Sequence, residues 1–169
     1  MKCKLFITSL VAAVVWCVGS AKADDQACLT EAVYFEARSE SFVAQLAVAN
    51  VIIERVKRDG YPSTICGVVR QGKYRGGKPV RHKCMFSYWC DGKPEIIANT
   101  RAYGVVSNVS KLAMQGVIVA HTEGATHYHA TYVEPYWIFS PNFVNLGQVG
   151  NHIFYLDANQ KGVYNEYNK

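Results

Sequence analysis

The 169-residue sequence contains no Cys-x-x-Cys pair, no His-Glu-x-x-His and no Gly-x-Ser-x-Gly. The first two absences remove common zinc-ligand spacings, and the third removes the strained elbow that presents a serine nucleophile. Neither a phosphate-cradling glycine loop nor a dinucleotide fingerprint is present, so nucleotide chemistry has no anchor. Without an Arg/Lys-rich helix or an RNA-binding motif, no nucleic-acid partner is expected. Charge is also scarce, at 18% of residues against 50% hydrophobic, which excludes a disordered chain and supplies ample core. There is no internal repeat and no interdomain linker, and the length suits one domain.

Long apolar runs are scarce too. Leu5 to Gly19 is the main one, and it is shorter than the ~20 residues that a membrane-spanning helix needs. Two lysines precede it, and Ser20-Ala21-Lys22-Ala23 follows with the small-x-small pattern of a cleavage site. Residues 1–23 therefore read as a secretory signal and 24–169 as the working domain. Export to the periplasm, cell envelope or medium is expected, with a membrane tether only if the signal stays uncleaved. Without Lys2, Lys4 and Lys22 the formal charge falls from +5 to +2. A basic cluster remains at Arg70, Lys73, Arg75, Lys78, Arg81 and Lys83. Its ordinary reading is a solvated loop; the sharper one is a patch that steers the protein to an anionic polymer.

Four cysteines remain in the mature chain: Cys28, Cys66, Cys84 and Cys90. An even count in an exported protein favours disulfides, and four cysteines allow three pairings. A small Cys84–Cys90 loop would leave Cys28 for Cys66, but sequence alone does not choose.

The apolar spacing predicts a helix over Thr30 to Arg38, with Thr30 as its cap, and a break at Ser39 to Ser41. A second helix from Phe42 to Arg58 is apolar nearly all round, as a buried helix is. Thr64 to Gln71 suits a short helix, 72–84 an exposed loop, and Pro94 to Gln115 another helix or pair. Beyond Gly124 the character turns extended, with aromatic–polar alternation over Thr126 to Trp137 and a strand over Gln148 to Leu156. The fold class expected is α+β, helical at the front.

Three segments carry candidate chemistry. Glu36 and Glu40 stand four apart, usually a solvated like-charge pair, but Glu36 lies between Phe35 and Ala37. A carboxyl in apolar surroundings favours its neutral form and serves as a general acid. His127 and His129 would share one face of a strand and suggest a metal if His121, His152 or a glutamate joined them. The plainer reading is that their rings hydrogen-bond along a groove. Gly150-Asn151-His152 would set two polar side chains at a strand start.

Together these segments resemble the SleB-type (spore-cortex-lytic) cell wall hydrolases. Six blocks carry the resemblance, in order: CLTEAVYFEARSE, QLAVANVIIERV, YPSTICGVV, CMFSYWCDG, GATHYHATYVEPYW and GNHIFY, from Cys28 to Tyr155. The resemblance implies a lysozyme-like fold, with a helical core and a small β-rich lobe flanking a substrate cleft. It implies peptidoglycan as partner, and cleavage between N-acetylmuramic acid and N-acetylglucosamine in the lytic transglycosylase manner, with no cofactor. The family's catalytic glutamate, in the motif E-A-R-[GS]-E, falls on Glu36. The usual glycine of that motif is Ser39 here, which tolerates a positive φ less well. Glu40, His127, Tyr128, Tyr132 and Asn151 become candidates to orient Glu36 and the sugar. His129 and His152 are supporting candidates, and Tyr136 and Trp137 are aromatic platforms. The rival readings are a zinc-dependent N-acetylmuramoyl-L-alanine amidase, built on His127 and His129, and a non-catalytic wall-binding module.

Overall fold

The computed structural model describes residues 24–160; the expected signal, residues 1–23, lies outside them. Among the described residues helix α1 covers 24–37, so the chain is already helical six residues before Thr30, where the sequence reading begins the helix. Thr30 does not cap it: the residue is buried, and its hydroxyl donates to the Gln26 carbonyl at 2.7 Å. This stretch of α1 is tied down by Asp25, which accepts from the Cys66 backbone N–H at 3.1 Å, and by the Cys28–Cys66 disulfide one turn further on.

Helix α1 stops at Ala37, so Glu36 and Glu40 do not share a helix face. Ser39 needs no left-handed backbone, since among the described residues the non-glycine positions with positive φ are His82 and His121. The side chain of Ser41 then accepts from the Ala44 N–H and caps α2 (Phe42–Val56), a contact worth about 1 kcal/mol. Helix α2 is the centre of the molecule, with Ala44, Ala47, Val48, Ala49, Val51 and Ile52 wholly buried. Each large aliphatic buried there contributes roughly 1.5–3 kcal/mol.

After α3 (Ile65–Val69) the residues expected as a loop pair into an antiparallel ribbon, β1 (Gly72–Arg75) with β2 (Lys78–Cys84). Gly76 and Gly77, at φ 57° and 75°, make the two-residue turn. The ribbon escapes a pattern reading because it buries no apolar face and so shows no alternation. A short 3-10 turn, Ser87–Cys90, follows, closed by the Cys84–Cys90 disulfide. The pairing left open by sequence is thus Cys28–Cys66 and Cys84–Cys90.

Helix α4 (Thr100–Met114) begins later than expected, because Pro94 to Asn99 is not helical and Asn99 caps the helix at the Ala102 N–H. It packs on α2 through Val106, Val109 and Ala113. Asn50 of α2 clips the following loop with two backbone bonds, to Val117 O at 2.9 Å and from Val119 N at 3.0 Å.

The second half of the fold is a three-stranded antiparallel sheet ordered β3 (His127–Ala130), β5 (His152–Asp157), β4 (Phe143–Val149). The single strand expected over Gln148 to Leu156 is instead broken into β4 and β5 by a turn at Gly150 and Asn151. Tyr128, His152 and Phe154 face the helices, with Phe154 fully buried in the core. Among the described residues no helix is long and apolar enough to cross a membrane.

Candidate active site

Glu36 lies half-buried in the last turn of α1. Its Oε2 accepts a hydrogen bond from the Tyr128 hydroxyl at 3.3 Å, joining α1 to β3 across 92 residues. Loss of water around the carboxyl pushes its pKa up, and this outweighs the Tyr128 bond and the charge of Arg55, which both push it down. Burial and the neighbouring Glu36 charge raise the Tyr128 hydroxyl well above its ordinary range, so Tyr128 remains a donor.

Two further groups surround Glu36. Tyr88 stacks on Phe35 with ring centroids 4.7 Å apart. Its hydroxyl is buried without a well-formed hydrogen bond, in the field of Glu31 and Glu36, and burial pushes its pKa up. Arg55 of α2 is 5% exposed. It donates to the Thr126 carbonyl at 2.7 Å, fixing the residue before β3, and its guanidinium lies over Tyr61 and Phe86.

Glu40 is placed differently. Its Oε1 accepts from the Asn151 side-chain amide at 3.0 Å and its Oε2 from the Asn151 backbone N–H at 3.2 Å. The carboxylate therefore holds the β4–β5 turn. The turn must be glycine at 150: φ is +59°, and a Cβ there would lie 2.7 Å from both Glu40 Oε2 and Ala44 Cβ. His152, next along, is buried and meets the Tyr128 ring edge-on at 5.2 Å. Desolvation lowers its pKa, against the charge of Glu40, and its Nδ1 has no hydrogen-bond partner. Glu36, Tyr128, His152, Asn151 and Glu40 thus form one contiguous row.

His127 and His129 point away from that row, on the other face of the sheet. Both rings meet Trp137, at 5.4 and 5.6 Å, within a cluster that includes Phe143 and Tyr155. His127 Nδ1 is 3.0 Å from Thr126 Oγ1, and burial drives its pKa down to about 4. His129 Nδ1 is 2.9 Å from the Ala130 carbonyl and Nε2 is 3.1 Å from the Tyr155 hydroxyl. Among the described residues no group of three His, Cys, Asp or Glu forms a ligand set for a metal. Tyr132 and Tyr136 stand on the segment between β3 and β4, 87% and 88% exposed.

The family model for cell wall hydrolases matches residues 39–155. The chain belongs to the cell wall hydrolase family. Among solved structures it is similar to the catalytic domain of the Bacillus cereus SleB protein, at 25% identity and a TM-score of 0.58, covering 79% of this chain and 90% of that one. It is equally similar to the catalytic domain of the germination-specific lytic transglycosylase SleB of Bacillus anthracis, at 25% identity and 0.58, covering 78% and 93%. Among curated proteins none matches. The mixed helix-and-sheet architecture is that of the SleB catalytic domain, a lysozyme-like fold. In this cell wall hydrolase the family match opens at Ser39, three residues beyond Glu36. Arg55, Tyr88 and Glu31 were not singled out in the sequence as site residues, although all three lie inside the six blocks that carry the resemblance.

Proposed function

We propose that this cell wall hydrolase cuts the glycan strand of peptidoglycan between N-acetylmuramic acid and N-acetylglucosamine, as a lytic transglycosylase with Glu36 as its single acid/base. The observation that carries the reading is the contrast between the two neighbouring glutamates. Glu36 is half-buried, raised in pKa and oriented by Tyr128, whereas both oxygens of Glu40 are occupied by Asn151. Glu31, five residues back on α1, lies about 140° round the helix from Glu36. A glycosidase with two carboxyl groups needs them to face each other across the bond.

One carboxyl suffices when the substrate supplies the nucleophile. Neutral Glu36 donates its proton to the glycosidic oxygen as the C1–O bond breaks. The muramic acid C6 hydroxyl then attacks C1, and the Glu36 carboxylate takes its proton. The acid is regenerated, no water is consumed, and the product is a 1,6-anhydro sugar. A general acid of raised pKa suits the first step, and the Tyr128 bond favours the carboxylate needed in the second. The structural match to a protein described as a lytic transglycosylase supports the same reaction.

The amidase reading requires a zinc ligand set around His127 and His129, whose ring nitrogens already meet Thr126, Ala130 and Tyr155. Two disulfides suit an oxidising compartment, in keeping with action outside the cytoplasm. Digestion of purified sacculi by the wild type and by Glu36→Gln tests the proposal. The wild type should release anhydro-muropeptides and the folded variant none; equal release by both would refute it.

A further inference from the structure

Charge is strongly segregated in this molecule. Arg70, Lys73, Arg75, Lys78, Arg81 and Lys83 fall within fourteen consecutive residues that contain no Asp or Glu. The remainder of residues 24–160 carries seven Lys and Arg against twelve Asp and Glu. The β1–β2 ribbon and its approach are therefore the positive pole of an otherwise acidic body. All six cations are exposed, and among the described residues none of the six joins an ion pair.

The ribbon adds almost nothing to the core, yet it is held firmly. The Cys84–Cys90 disulfide closes its base, and Arg81 Nε donates to the Asp91 carbonyl at 3.0 Å. Trp89 Nε1 donates to the Tyr74 hydroxyl at 2.9 Å, which itself donates to the Arg70 carbonyl at 2.8 Å. The Arg70 guanidinium lies over the Trp89 ring at 5.0 Å. The turn that carries Trp89 also carries Tyr88, which stacks on Phe35 beside Glu36. The positive ribbon is thus anchored to the same structural block as the candidate acid.

We propose that the β1–β2 ribbon is a binding surface for the carboxylate-bearing peptide stems of peptidoglycan, gripping the strand whose glycan Glu36 cuts. The inference rests on the function proposed above for Glu36. Charge complementarity argues for the occupant: evenly placed, unpaired cations suit a polymer that presents carboxylates along its length. An anionic membrane is a poorer fit, because the tip is Arg75-Gly76-Gly77-Lys78 and offers no apolar side chain to insert. Each exposed pair is weak and screened by salt, so binding draws on several contacts at once.

The test uses the full chain carrying Glu36→Gln, so that binding is measured without turnover and stands apart from any failure of glycan cleavage. Co-sedimentation with purified sacculi is compared with and without Lys73→Ser, Arg75→Ser and Lys78→Ser, three exposed residues whose removal should leave the melting temperature in place. Apparent affinity should fall roughly tenfold at low salt in the triple variant. The difference should close near 1 M salt, where the screening length is ~3 Å. Sacculi with amidated carboxyl groups should bind the parent as weakly as intact sacculi bind the variant. Lys73→Arg with Lys78→Arg should retain parental binding. Undiminished binding by the triple variant, or by amidated sacculi, would overturn the proposal. So would tighter charge-dependent binding of the parent to phosphatidylglycerol vesicles than to sacculi.

Discussion

Asn151 occupies both carboxylate oxygens of Glu40, the side-chain amide at 3.0 Å and the backbone N–H at 3.2 Å. The pair ties the residue after the α1 turn to the β4–β5 turn, and so sets helix and sheet on either side of the Tyr128–Glu36 contact. Glu40→Ala should lower stability by about 1.5–3 kcal/mol, the scale of a hydrogen bond to a charged group. Glu40→Gln, which keeps one acceptor oxygen, should lose less. Thermal melts check both, and activity should fall in step with the melt rather than vanish as in Glu36→Gln.

Gly150 tests the same junction from the sheet side. A methyl group there would stand 2.7 Å from Glu40 Oε2 and from Ala44 Cβ, on a backbone at φ +59°. Gly150→Ala should cost about 1–3 kcal/mol in strain alone. An unchanged melting temperature would show that the turn is free to move.

Tyr128→Phe removes the one side-chain hydrogen bond that reaches Glu36 among the described residues. That bond favours the carboxylate, so its loss should raise the Glu36 pKa further. The alkaline limb of the kcat/KM profile, where the acid is lost, should move to higher pH. The rate should drop roughly 10-fold to 100-fold, as a hydrogen bond to a charged group implies. A shift of that limb to lower pH would contradict the geometry.

Stability should depend on pH through groups of opposite sign, of which Glu36 and His127 are separable by mutation. The Glu36 pKa is raised by folding, so the fold carries no penalty from it below the unfolded value near 4.5 and gains one as pH rises through the folded value. Glu36→Gln should therefore melt higher than wild type at neutral pH, with the difference closing in acid. The His127 pKa falls from 6.5 to about 4 on folding, so its contribution is complete above 6.5 and is lost as pH falls towards 4. His127→Phe should flatten that acid loss. Paired melts from pH 3 to 8 read both slopes.

How far the sequence carries depends on whether an element is written in local pattern or in distant pairing. Helix α2 is legible because its apolar residues run round the whole surface, and its Ser41 cap is local. The ribbon was expected to be a loop because neither strand buries a face, although Gly76-Gly77 signals its turn. The break at Gly150 falls inside the strand expected over Gln148 to Leu156, although Gly150-Asn151-His152 also reads as a strand start; the need for glycine comes from its φ of +59° and from Glu40 and Ala44, more than a hundred positions earlier. The site behaves likewise. Glu36 and Tyr128 can each be named from their blocks, but their contact cannot. Nor can sequence show that the register of β3 with β5 turns Tyr128 towards α1, and His127 and His129 towards Trp137.

The central claim is that Glu36 works alone and that the substrate's own hydroxyl is the nucleophile. Digestion of sacculi in heavy-oxygen water, followed by mass spectrometry of the fragments, tests it most directly. The account predicts fragments lighter by one water than the hydrolysis product, without heavy oxygen, from the wild type and none from folded Glu36→Gln. Reducing ends that carry heavy oxygen, or freed peptides with intact glycan, would contradict it.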